Sequence, residues 1–328
     1  MSTRSRTTWS HASSRIRRSQ HGWRDSFGPA RPRWRGNWAE NEALEPGDHV
    51  AQDPNAWLSE LSDYFTPSPA HFDAAKGHRD FIERRLDADL GTYRMFEIGS
   101  LRHGTGVWLH SDADYLVSLK GSRPESSTTM LEKVRSSLKG RFLSTTISVR
   151  RPAVACYFSD GIVEIVPGYI ADTDNSNHGY WIADPAGGWM RTYPEAHNAY
   201  VDRANKKHDG GAKQLARLLK VWKYERDVPI SSCYLEMRAA KHLDGEPAYI
   251  PVWDVCLALN ELNSHGLAAM NDPTGLSSRF TACSSEAKRI DAMSKLATAI
   301  ERARRAQEYY SDGLYAQSIA QLELLFDR

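Results

Sequence analysis

The chain has 328 residues, 41% of them hydrophobic, and a formal net charge of +1. That length suffices for one large domain or two closely packed ones with a sizeable core. No apolar run approaches the roughly 18 residues of a membrane span, and the first thirty residues lack the apolar stretch of a secretory signal, so a cytoplasmic protein without a membrane partner is expected. The four cysteines, at 156, 233, 256 and 283, form no Cys-x-x-Cys pair, which argues against a zinc ribbon or redox motif and for reduced, mostly core cysteines.

Charge is unevenly spread. Met1 to Gly36 holds nine arginines against one acid, Asp25. Residues 1–48 therefore read as a basic, unstructured tail, for which three readings stay open. It is an arm that meets nucleic acid, a tail that binds nothing in particular, or sequence preceding a start near Val50. An organelle transit peptide ranks lower, because no amphipathic stripe is evident.

After the tail, Pro54 to Ser68 reads as short and broken by Pro67 and Pro69. The spacing of Phe72, Phe81, Ile82, Leu86 and Leu90 predicts a helix from His71 to Leu90, stopped by Gly91. Tyr93 to Ile98 reads as a strand, Gly99 to Gly106 as a Gly-rich loop, and Asp114 to Leu119 as a second strand. A helix over Glu125 to Gly140 and a strand over Thr145 to Arg150 follow. Ala153 to Phe158 and Ile162 to Val166 form a hairpin that Pro167 ends. From about Pro194 the pattern is helical, with segments at Ala212–Arg226, Ser231–His242, Val252–Ser264 and Ser285–Tyr310. The whole is a mixed α/β (α+β) pattern: a strand-rich N-lobe over residues 49–190 and a helical C-lobe over 191–328.

The chemistry concentrates in Gly99-Ser100 and in Asp112-Ala113-Asp114. Residues two apart on a strand face the same way, so Asp112 and Asp114 present two carboxylates roughly 7 Å apart along the backbone. Such a pair is relieved by a hard divalent cation with oxygen ligands, magnesium first and manganese as the alternative. Glu164, an acid inside the apolar strand Ile162-Val163-Glu164-Ile165-Val166, is the candidate third ligand, because a charge there needs a counter-charge or a metal. Two metals about 3.5–4 Å apart would clamp a triphosphate and activate an attacking hydroxyl. Glycine at 99 lets backbone approach a phosphate, and the Ser100 hydroxyl supplies a further hydrogen bond.

With these motifs the sequence resembles the bacterial CD-NTases, cyclic-oligonucleotide synthases related to cyclic GMP–AMP synthase and oligoadenylate synthase. The resemblance runs from about Phe81 to the end and is sharpest at Gly99-Ser100, Asp112, Asp114 and Glu164-x-x-Pro167. Tyr180 to Asp184 is similar to the family's linker into the helical lobe. Leu218 to Lys223 resembles the helix that offers a lysine to the donor triphosphate, and Ser231 to Glu236 the Ser-rich helix start that follows. The resemblance implies a polymerase-β-like nucleotidyltransferase N-lobe with a mixed sheet and an oligoadenylate-synthase-like helical C-lobe. It also implies nucleotide contacts at Lys220, Lys223, Ser232 and Tyr234, although the family's aromatic stands one position earlier, where this chain has Cys233. The implied activity joins ribonucleoside triphosphates, ATP among them, into a cyclic di- or trinucleotide that switches on an effector in CBASS antiphage defence. The scattered cysteines argue against the zinc insert of DNA-sensing animal relatives, and nucleic-acid binding is not expected. Modification of RNA or a protein, or nucleotide sensing without catalysis, remain the alternatives.

Overall fold

The computed structural model describes residues 52–108, 110–159, 161–174 and 177–328; the basic tail lies outside them. The first element is a helix, α1 (Pro54–Tyr64), where the sequence reading expected a broken stretch. Pro54 opens it, at the first turn where a missing N–H is harmless, and Pro67 and Pro69 come only after its end. Asp53 caps it, its side chain accepting from Asn55 N at 2.9 Å. Trp57, Leu58 and Leu61 are fully buried. They face the C-lobe helices, so α1 belongs with that lobe although it precedes the sheet in sequence.

The long helix α2 (Pro69–Leu90) then leads into β1 (Thr92–Ile98), the short helix α3 (Gly99–His103), β2 (Ala113–Leu119) and α4 (Ser127–Lys139). Strands β3 (Thr146–Arg150), β4 (Ala153–Phe158), β5 (Gly161–Asp174), β6 (Asn177–Ala183) and β7 (Trp189–Thr192) complete one mixed sheet. Its order is β1-β2-β5-β4-β3, with β6 on β5 and β7 on β6. Only the central β2–β5 pair is parallel among these ladders.

Two sequence expectations change here. Pro167 does not end β5. It lies where β4 has already stopped at Val154↔Ile165 and before β6 begins at Gly168↔Ile182, so on that side no ladder bond is due from it. Tyr180 to Asp184 is no linker either: Tyr180 to Ala183 are strand residues of β6, and the chain leaves the sheet only after β7.

Alternation along β2 and β5 divides the sheet into two faces. Tyr115, Val117, Val163 and Ile165 point to one, where they pack with Ile82 and Leu86 of α2 and Met130, Leu131, Val134 and Leu138 of α4 in the main core. The opposite face carries a smaller apolar cluster, Leu116, Ala153, Val166, Tyr180 and Ile182. The acids lie on that second face.

The C-lobe consists of α5 (Pro194–Lys207), α6 (Gly211–Glu225), α7 (Ser232–Gly245), α8 (Pro251–Ser264), α9 (Glu286–Ser311) and α10 (Tyr315–Phe326). Buried polar pairs help fix it: His242 is held between Asp254 and Glu261, at 2.9 Å from each. These two carboxylates outweigh the desolvation of the ring and raise its pKa to about 9. Among the described residues no helix is long and apolar enough to cross a membrane.

Candidate active site

Parallel pairing of β2 with β5 sets Asp114 directly beside Glu164. Asp112 immediately precedes β2, two residues back and on the same face. The three acids are therefore neighbours through strand register alone, across fifty residues of sequence. All three carboxyls have raised pKa values, first through desolvation. Asp114 is raised furthest, with Glu164 and Asp112 adding like-charge repulsion, and Asp112 in turn raises Glu164.

Gly99 sits at φ +66°, which glycine adopts without strain. A Cβ there would lie 2.3 Å from Asp114 Oδ2, so the glycine also makes room for that carboxylate. The expected Gly-rich loop is in its first half a helical turn, α3, ended by Gly104 at φ 67°. Ser100 lies within α3, partly exposed.

The rest of that loop is tied to α6. Arg217 donates to Gly104 O at 2.6 Å and Gly106 O at 2.9 Å, and Lys220 Nζ donates to Thr105 O at 3.2 Å and Thr105 Oγ1 at 2.9 Å. Lys220 also pairs with Glu236 at 3.0 Å, the two side chains being 2% and 3% exposed. Thr105 Oγ1 donates to Glu236 as well, and His103 Nδ1 lies 3.3 Å from its other oxygen. Lys220 was expected at a triphosphate; the structure instead buries it in an ion pair beneath the loop. Burial works against ionisation of Glu236, but Lys220 and His103 outweigh it and hold the carboxyl at about 2.

Lys223, one turn further along α6, is partly exposed. Its Nζ donates to Ser232 Oγ at 2.6 Å, and Tyr224 OH lies 3.1 Å from the same oxygen. Desolvation, aided by the charge of Lys220, lowers Lys223 to about 8. An anion would relieve both effects. The helix cap is Ser231, not Ser232: its side chain accepts from Tyr234 N, leaving the Ser232 hydroxyl to Lys223 and Tyr224. Tyr224 is a residue the sequence reading missed. Burial raises its hydroxyl pKa, and Asp112 and Asp114 lie close enough to raise it further. The ring stacks on His110 at 4.3 Å.

Tyr234, expected to stack on a base, is 0% exposed. Its hydroxyl donates to Ala268 O at 2.9 Å and accepts from Arg238 Nε at 3.1 Å. The residue is part of the lobe's core and has no face free for a nucleobase. One position back, about 100° around the helix, Cys233 is exposed. Trp222 is core, as its type suggests.

The acids suit a hard cation in donor chemistry. Glu164 Oε1 is buried and accepts no hydrogen bond. As they stand, no three His, Cys, Asp or Glu side chains among the described residues converge on one point. Asp112, Asp114 and Glu164 are the residues that would hold a divalent ion.

The Lys223 shift has a testable consequence for anion binding. The free-enzyme affinity for a triphosphate, read from kcat/KM, is expected to fall as pH rises through about 8, where the ammonium loses its proton. Lys223→Met should raise KM about tenfold and flatten that limb. A limb unchanged in the variant would remove Lys223 from phosphate binding.

Comparison with known proteins bears on the fold and on the domain that holds these acids. A probable cyclic nucleotide synthase of Bacillus cereus (strain VD146) is 31% identical over 116 residues, which span 34% of this chain and 35% of that relative. The solved structure of E. coli MS115-1 CdnC with ATP superposes with a TM-score of 0.67 at 17% identity, covering 86% of this chain and 99% of that one. The Bradyrhizobium diazoefficiens CD-NTase CdnG in complex with GTP gives 0.62 at 14% identity, covering 84% and 99%. At these identities the superpositions establish the fold, that of the polymerase-β-like CD-NTases. Residues 53–205, which run from the cap of α1 through the sheet and its three acids into α5, match the profile described as Second Messenger Oligonucleotide or Dinucleotide Synthetase domain, and it is that domain that this stretch of the chain carries.

Proposed function

We propose that the protein is a divalent-metal-dependent nucleotidyltransferase that builds a cyclic di- or trinucleotide from ribonucleoside triphosphates. The observation that carries this reading is the in-register placement of Asp114 beside Glu164, with Asp112 on the same face, near Tyr224, whose hydroxyl feels the charge of Asp112 and Asp114 and shares Ser232 Oγ with Lys223. Lys223 and Ser232 hold the triphosphate tail of the donor, the ammonium as a charge and the hydroxyl as a hydrogen-bond donor. Ser100 would contribute a second hydroxyl.

Asp112, Asp114 and Glu164 would hold magnesium or manganese, which when bound neutralises phosphate charge and acidifies the acceptor hydroxyl. A ribose hydroxyl of the second nucleotide attacks the α-phosphorus of the first. The bond from that phosphorus to the bridging oxygen breaks, and pyrophosphate leaves. Glu164, whose carboxyl burial makes more basic, would take the hydroxyl proton. The last transfer is internal: the free hydroxyl at one end of the linear product attacks the α-phosphorus of the triphosphate at the other, expels a further pyrophosphate and closes the ring. The product would act as a second messenger on an effector in antiphage defence.

The deciding experiment incubates the full chain with all four ribonucleoside triphosphates and magnesium, then treats the products with phosphatase and reads them by mass spectrometry. A phosphatase-resistant cyclic species is expected. Lengthened RNA or labelled protein in parallel reactions, with no cyclic species, would replace this reading by transfer to a macromolecule.

A further inference from the structure

The carboxylate face holds one more charged side chain, and it comes from the edge of the sheet. Arg150 is the last residue of β3 and pairs with Ala153 of β4, while Ser148 pairs with Ala155, which pairs in turn with Glu164 of β5. By alternation Arg150, Ser148, Ala153, Ala155 and Glu164 share the face that carries the acids. Strands are spaced about 4.8 Å apart, so roughly 10 Å separate β3 from β5. Two alanines on β4 leave a lane along which an arginine can lie at full length. Its Nη1 reaches 2.8 Å from Glu164 Oε1 and 3.7 Å from Asp112 Oδ2. The Glu164 contact is close without being aligned as a hydrogen bond, since Oε1 accepts none. The Arg150 side chain remains 51% exposed, against 29% and 18% for the two acids, so its path back to solvent is open.

Resting on the metal-dependent reading above, we propose that Arg150 is a displaceable counter-cation of the metal site. Its guanidinium stands between Asp112 and Glu164 and must withdraw before a divalent ion can draw the carboxylates together. A guanidinium offers one charge and only donors, and it leaves Asp114 without a partner among these contacts. A divalent ion brings two charges and binds several oxygens at once. The exchange therefore favours the metal but subtracts the Arg150 contacts from its affinity. The withdrawn guanidinium remains beside the cleft, where a nucleotide phosphate can take it up, so metal and nucleotide are expected to bind with positive coupling.

The test measures binding of manganese alone to the nucleotide-free full chain, by the loss of the free-ion electron paramagnetic resonance signal. Arg150→Gln should bind manganese about tenfold more tightly than the wild type, the scale of one partly exposed charge-assisted contact. Arg150→Met serves as a second variant without hydrogen-bonding capacity, and Arg150→Lys, which keeps the charge on a shorter stem, should fall between. Circular dichroism checks that each variant is folded. Unchanged or weaker manganese binding in Arg150→Gln and Arg150→Met, with binding still abolished in Asp112→Asn/Asp114→Asn, would overturn the counter-cation role and leave the metal site standing. Equal manganese binding by wild type and the double acid variant would overturn the metal site, and the role of Arg150 with it.

Discussion

Asp112→Asn combined with Asp114→Asn is expected to lower cyclic-nucleotide synthesis at least about a thousandfold, equivalent to about 4 kcal/mol of transition-state stabilisation. The substitutions keep side-chain shape and remove only charge, so the effect isolates the ability to hold a cation. Stability should move the other way. Both carboxyls have raised pKa values in the fold, through burial and, at Asp114, through neighbouring acids. A carboxyl with a raised folded pKa weakens the fold once the pH exceeds its unfolded value, because there the unfolded chain ionises more easily. Neutral asparagines should therefore leave the melting temperature unchanged or raise it. Product formation within tenfold of wild type would remove these acids from the chemistry, and a lowered melting temperature would make lost activity uninformative.

Glu236→Gln should be the most damaging single change away from the acids. It leaves the Lys220 ammonium buried without its counter-charge, which costs about 3–5 kcal/mol and lowers the melting temperature by roughly 6–15 °C. Lys220→Met should do similar harm by stranding Glu236. The double variant Lys220→Met/Glu236→Met should recover much of the loss, because a buried pair replaced as a unit leaves no orphan. The wild-type pair also predicts an acid limb. Glu236 titrates at about 2 in the fold against 4.5 as a free side chain, so its contribution is complete above 4.5 and disappears as pH falls through 2. If Lys220→Met melted like wild type and only raised KM, Lys220 would be a substrate contact after all.

The contrast between Lys220 and Lys223 shows where sequence reasoning reaches and where it stops. Three residues along a helix rotate a side chain by about 60° from its starting direction, so both lysines share a broad face. Which one is sealed depends on Glu236, a partner from another helix that no local pattern announces. The same holds for α7, where one step of rotation turns Tyr234 inward and Cys233 outward. Asp112, Asp114 and Glu164 were legible because strand alternation is local and a lone acid in an apolar strand is costly. Their adjacency depends on the β2–β5 register, and the sequence shows it only through the resemblance. The helix α1 was hidden by prolines that punctuate its surroundings, and β6 and β7 by short, aromatic-rich runs that resemble linkers. Arg150 went unnoticed because its significance lies across an intervening strand.

The carbonyls of Gly104, Thr105 and Gly106 are each held by a side chain from α6, Arg217 or Lys220. By composition this Gly-Thr-Gly stretch would be among the most pliable in the chain; bolted at three successive peptides, it moves with α6 instead. Ser100 follows on β1, whose Ile98 pairs with Asp114 of β2, so the same stretch ties α6 to the strand that bears that acid.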